Sequence, residues 1–190
     1  VKDVYALKHE DSVELEIPSS GDETLAKHTG FRTYKSFEQK IAVHTALTLP
    51  KGHTLLVSLP TGGGKSLVTQ LLASVSEGLT VVIVPTVALA LDQYYAAKHN
   101  LKDIADIYCY RGKQSEIERA SIIKALKEKK ARILFTSPEA ILKNPELHRI
   151  LDDAAKKNYL ANVVVDEAHV VPDWGVFFRP DFQIFSILLK

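Results

Sequence analysis

The chain has no methionine, one cysteine and one tryptophan in 190 residues. The lone Cys109 excludes an internal disulfide and suits a reducing compartment. No apolar run reaches the length of a bilayer-spanning helix, and the first residues lack the basic-then-apolar pattern of a secretory leader. Neither sign of charge dominates: 24 Lys and Arg stand against 23 Asp and Glu, a formal net charge of +1. Bulk charge therefore points to no nucleic-acid partner, and any such signal has to be local. Internal repeats and low-complexity tracts are missing too. The lack of methionine even at position 1, and the stop within the apolar run Phe185–Lys190, suggest a domain cut from a longer chain. What is present is ordinary for a globular domain: 46% hydrophobic residues, 25% charged, and length for one sizeable core.

The chain is organised around Leu55 to Ser66, LLVSLPTGGGKS. An apolar, β-favouring run breaks off at Pro60-Thr61-Gly62-Gly63-Gly64-Lys65-Ser66, and a helix-forming segment follows from Leu67 to Glu77. Strand, glycine loop, helix is the layout of a phosphate-binding loop. Consecutive glycines let backbone N–H groups turn inward around phosphate oxygens, and the helix start aims its positive end at the same anion. Lys65 supplies a flexible cation, and the Ser66 hydroxyl is placed to ligate Mg²⁺. The common pattern has another glycine at the position held here by Leu59, so the signal rests on TGGGKS in its context. The plain alternative is a glycine turn before a helix.

Around this loop the pattern predicts alternating helices and strands. The segment Val13–Ile17 alternates apolar and acidic residues like a half-exposed strand, and Pro18–Asp22 reads as a loop. A helix is expected over Phe31–Leu49, centred on Phe37–Leu47, its apolar side including Ile41, Ala42, Ala46 and Leu47. Further strands are expected at Leu55–Leu59, Thr80–Val84, Asp103–Tyr110, Arg132–Thr136 and Asn162–Val165. Helices are expected over Ala88–Lys98, Ser115–Lys130, from Pro138 onward, and over Pro145–Ala155. Ile117, Ile122, Ile123 and Leu126 supply an apolar face, and Lys127, Lys129 and Lys130 read as a solvated helix end. Uniformly apolar strands between helices imply an α/β fold, a mainly parallel sheet with helices on both faces. Sites in such sheets form at the carboxyl ends of the strands.

Val163-Val164-Val165 delivers Asp166-Glu167-Ala168-His169 at such an end. Two adjacent acids at a buried strand end are costly without a nearby cation. Mg²⁺ on a nucleotide is the natural partner: Asp166 holds the metal, and Glu167 deprotonates the attacking water. His169 is a candidate link from this site to its surroundings. The alternative is two acids at an exposed strand end.

DEAH after an apolar strand, with PTGGGKS upstream, resembles the superfamily-two helicases. The stretch Val170 to Phe182 narrows this, because Trp174-Gly175 and Phe178-Arg179-Pro180 resemble the aromatic-rich loop of RecQ-type DNA helicases. Val81–Gln93, Phe135–Leu142 and Tyr34–Gln39 are also similar to segments of that family, in the same order. The similarity runs from about Thr29 to Lys190. Three positions depart from it. Lys35 replaces an arginine and so loses a planar stacking group, and Val176 and Phe177 replace a histidine and an acid of the aromatic loop.

The resemblance implies a RecA-like P-loop NTPase domain over residues 30–190, the first of two motor domains, with residues 1–29 as an arm or the end of a preceding domain. It implies ATP and Mg²⁺ on Thr61, Gly62, Gly63, Gly64, Lys65 and Ser66, with Ser66 and Asp166 at the metal. Gln39 contacts the base, with Lys35 beside it. Glu167, Lys65, Asp166 and His169 carry the chemistry. Single-stranded or partly duplex DNA runs over Thr86, Gln93, Ser137, Trp174, Phe177 and Arg179. Trp174 and Phe177 can stack on unpaired bases, about 1–3 kcal/mol each, whereas Phe178 and Phe182 fit a core position equally well. A second RecA-like domain of the same parent chain completes the site, no membrane is involved, and the expected location is cytoplasmic or nuclear according to source. Two other readings remain open: a nucleotide-dependent interaction module, and a DEAH-type RNA helicase.

Overall fold

The computed structural model describes residues 17–168. In chain order the elements are β1 (Ser19–Ser20), α1 (Glu23–Thr29), β2 (Thr33–Tyr34), α2 (Phe37–Thr48), α3 (Lys65–Val75), β3 (Leu79–Ile83) and α4 (Val87–Asn100). There follow β4 (Ile107–Cys109), α5 (Glu116–Lys127), β5 (Ile133–Thr136), α6 (Pro138–Leu142), α7 (Pro145–Lys156) and β6 (Leu160–Val165). Four strands form one sheet in the order β4-β5-β3-β6, every pair parallel. A small antiparallel pair, β1 with β2, stands apart.

The sheet has two apolar faces, which is why its inner strands read as unbroken hydrophobic runs. Val81, Ile83 and Leu134 pack with Ile122 and Leu126 of α5, Ile141 of α6, and Leu147 and Leu151 of α7. The alternate residues Val82, Ile133 and Phe135 pack with Ala73 of α3 and with Ala90 and Ala97 of α4. The expected parallel sheet with helices on both faces is what forms. Among the described residues no helix is long and apolar enough to cross a membrane.

Four local expectations change. Leu55–Leu59 is not a strand of the described sheet. Its alternation survives, with Leu55 and Val57 packed on a third cluster and Leu56 81% exposed. Alternation sets which side faces a core, but a ladder also needs a neighbouring strand in register. The helix expected over Phe31–Leu49 forms over its expected centre, Phe37–Thr48, and starts no earlier because Thr33–Tyr34 pairs with Ser19–Ser20 and Ser36 then caps α2. Ile117 is 84% exposed. At about 100° per residue it lies on the opposite side of α5 from Ile122, Ile123 and Leu126. The same geometry puts Ile41 opposite the buried Gln39, Val43 and Ala46 of α2. At the end of α5 the lysines are solvated as expected, Lys127 on Glu146 at 2.8 Å and Lys130 on Glu128 at 2.7 Å.

Leu25 of α1 is fully buried with Val43 of α2 and Leu71 of α3, so residues 19–29 pack on the domain. Most of the Val13–Ile17 expectation falls outside the described residues. Asp22 fastens this region. Its carboxylate caps α1 through Leu25 N at 2.9 Å and accepts from Tyr34 Oη at 2.7 Å, with His44 Nε2 at 2.8 Å. Burial alone would push the Asp22 carboxyl up, but these donors outweigh it and hold it below the usual range. Its contribution is therefore present above the unfolded carboxyl value near pH 4 and is lost as pH falls through the lower folded value. Asp22→Ala is expected to cost about 1–2 kcal/mol at pH 7 through the lost cap alone. In urea denaturation its deficit against the parent should shrink below about pH 4; a pH-independent deficit would contradict the assignment.

Candidate nucleotide and metal site

The glycine loop is built by two left-handed residues, Gly62 at φ +83° and Gly64 at φ +79°. The Gly63 N–H donates to Pro60 O at 3.0 Å, and Gly64 serves as N-cap of α3 with no side-chain cap. That end of α3 keeps its positive pole open toward an anion.

Three side chains hold loop carbonyls. Lys35 Nζ donates to Gly62 O at 2.9 Å, Gln39 Nε2 to Gly64 O at 3.0 Å, and Lys65 Nζ to Leu59 O at 3.0 Å. Gln39 Oε1 accepts from Lys35 N at 2.7 Å, so both ends of this 1%-exposed amide are engaged. Lys35 and Gln39, which the resemblance assigns to the base, thus brace the loop backbone. Side-chain donors on its carbonyls favour an arrangement in which the N–H groups serve an anion. Thr61 and Ser66 are exposed, and Gly63 is buried.

Gly64 is the position least able to change. A Cβ there would lie 2.0 Å from Gln39 Nε2 and would sit on a left-handed backbone. Gly64→Ala is expected to dislodge the Gln39 amide and to add about 1–2 kcal/mol of backbone strain. Equilibrium binding of a fluorescent nucleotide should weaken about 5–30-fold by that strain alone. Unchanged affinity would mean the loop does not need this conformation.

The acidic pair closes β6. Asp166 N donates to Ile83 O at 2.9 Å, fixing the turn onto the end of β3. Gln93 Nε2 donates to Asp166 Oδ2 across 73 positions of sequence. Glu167 is left-handed at φ +52°, a conformation uncommon outside glycine and often found at functional turns. Both acids are half-buried.

In a parallel sheet all carboxyl ends share one edge, so Thr86 after β3, Ser137 after β5 and Asp166 after β6 line the same side. Thr86 Oγ1 caps α4 at Leu89 N, 3.2 Å, and Ser137 Oγ caps α6 at Ala140 N, 3.3 Å. Both hydroxyls keep their O–H to donate. Ser137 is buried, Thr86 exposed. Gln93, which the resemblance assigns to nucleic acid, reaches the acidic pair. His169, Trp174, Phe177 and Arg179 lie outside the described residues. Burial pushes the Cys109 thiol up to about 11, away from the range of a nucleophile.

The donors suit Mg²⁺ held with a nucleotide. Among the described residues no group of three or more His, Cys, Asp or Glu side chains gathers for a metal. Mg²⁺ takes one or two protein oxygens beside phosphate and water, and Ser66 and Asp166 offer a hydroxyl and a carboxylate.

Comparison with known proteins identifies the family. Residues 37–188 match the DEAD/DEAH box helicase family. The chain is 36% identical over 139 residues to the RecQ-like DNA helicase BLM of Xenopus laevis, covering 72% of this chain and 10% of that protein. It is 37% identical over 135 residues to the ATP-dependent DNA helicase RecQ of a Synechocystis species, covering 71% and 27% respectively. The ATP-dependent DNA helicase Q5 of Rattus norvegicus is 35% identical over 161 residues, 84% of this chain and 16% of that protein. The chain thus spans about a tenth to a quarter of these relatives' length. In structure it resembles the UvsW helicase of bacteriophage T4, with a TM-score of 0.56 at 22% identity over 93% of this chain and 51% of the other. That likeness is one of fold, and it agrees with a RecA-like α/β domain.

Proposed function

Since the chain belongs to the DEAD/DEAH box helicase family, we propose that it is the first RecA-like motor domain of an ATP-dependent, RecQ-like DNA helicase. The braced glycine loop opening an uncapped α3 carries this reading. In it, Gly62 to Ser66 bind the phosphates, and Lys65 exchanges Leu59 O for a phosphate oxygen. Ser66 and Asp166 are the protein's metal ligands, Asp166 directly or through water. Bound Mg²⁺ supplies charge neutralisation on the phosphates. Glu167 orients the attacking water and accepts its proton. Thr86 and Ser137 flank a path for single-stranded DNA along the strands' carboxyl edge, with Trp174, Phe177 and Arg179 joining from the aromatic loop and His169 linking the two sites.

A second RecA-like domain of a longer parent chain supplies the arginine that stabilises transition-state charge. The 190 residues alone are accordingly expected to bind nucleotide weakly and to turn it over very slowly. The decisive experiment is steady-state ATP turnover by the intact parent chain with single-stranded DNA, with RNA and with neither. Stimulation by DNA alone supports a DNA motor. Stimulation chiefly by RNA would replace the substrate, and turnover indifferent to both would replace the motor by a nucleotide-gated interaction module.

A further inference from the structure

We infer that Gln93 is a positioning residue for the Asp166 carboxylate, and that it sets how strongly nucleotide binding depends on Mg²⁺. The inference rests on the nucleotide-and-metal reading above and adds a role to α4. Gln93 lies two turns into α4, a helix that starts right after β3. Asp166 is already tied by its backbone to Ile83, the last residue of β3. The Gln93 amide adds a side-chain bond on Oδ2 from α4. Backbone and carboxylate are thereby held from two elements, and Oδ1 is left for a metal or its water.

A carboxylate beside a metal works best when a partner fixes its plane. Removing such an outer partner typically weakens metal binding about 10–100-fold. The amide is suited to the task. It is uncharged, so it does not neutralise the carboxylate as a lysine would, and its N–H donor leaves the acidic pair's net charge intact. The position also has a mechanical consequence. The first turn of α4, with Thr86 as its cap and Val87 exposed, sits at the strands' carboxyl edge. A ligand that shifts α4 therefore moves the group that orients Asp166.

The test uses the intact parent chain and a fluorescent ADP analogue, titrated with Mg²⁺ at fixed nucleotide. Gln93→Ala removes the amide, and Gln93→Met keeps the length of the side chain without its donor. Both are expected to bind nucleotide as the parent does in EDTA, and to raise the Mg²⁺ midpoint about tenfold or more. The Gln93→Met shift should vanish in an Asp166→Asn background, because the two groups act as one unit. An unmoved midpoint, or a shift that persists with Asp166→Asn, overturns the inference. Parent binding that ignores Mg²⁺ altogether would instead overturn the nucleotide-and-metal reading beneath it.

Discussion

Replacing Glu167 by Gln should lower DNA-stimulated ATP turnover of the intact parent chain by about 10²–10⁴-fold while leaving nucleotide affinity within a few-fold. Gln has the shape and hydrogen-bonding reach of Glu, so the left-handed turn at φ +52° is no harder to hold. It can still orient a water, but it cannot take a proton from it. The loss therefore falls on the chemical step alone, in kcat, with binding spared. Single-turnover hydrolysis and fluorescent-nucleotide binding separate the two. Normal turnover by the Gln variant would show that another group is the base.

Lys65→Ala should act in the opposite pattern. Lys65 Nζ rests on Leu59 O at 3.0 Å, a neutral backbone partner that a phosphate oxygen outbids. A hydrogen bond to a charged group contributes about 1.5–3 kcal/mol, which is about 10–150-fold in affinity. Because Lys65 is only half-buried, the thermal transition without nucleotide should barely move. Weak binding with an unchanged transition identifies a ligand contact. Full affinity in the Ala variant would remove Lys65 from the phosphate site.

Much of this molecule was legible in local sequence. The glycine loop punctuates an apolar run and a helix because only glycine takes φ near +80° freely, and Gly62 and Gly64 both do. Ser115 with Glu118 spells a capping box, and α5 starts there. The unbroken apolar stretches Leu79–Ile83 and Ile133–Thr136 announce strands buried on both sides. The place of Asp166-Glu167 at a strand end follows from the same pattern.

Other features needed the folded chain. Ile117 and Ile41 look apolar and helical in one dimension, but only the angle around the helix shows that they face away from the core. Leu55–Leu59 alternates like a strand, yet pairing depends on what lies beside it. Leu25 is a core residue in a segment that reads as an arm or the end of a preceding domain, because burial is decided by which helix arrives next to it.

The sequence by itself carries the residue types behind the proposed chemistry: a glycine-rich loop, a hydroxyl and a carboxylate suited to a metal, and an acid beside them, all at short spacing. Tertiary structure alone decided who supports that chemistry. Gln39 reaches Gly64 across 25 positions and Gln93 reaches Asp166 across 73. Periodicity carries no information at such separations: the Gln93 contact exists because β3 and β6 gather their carboxyl ends, and the helix that follows β3, on one edge, and the Gln39 contact because α2 packs on α3.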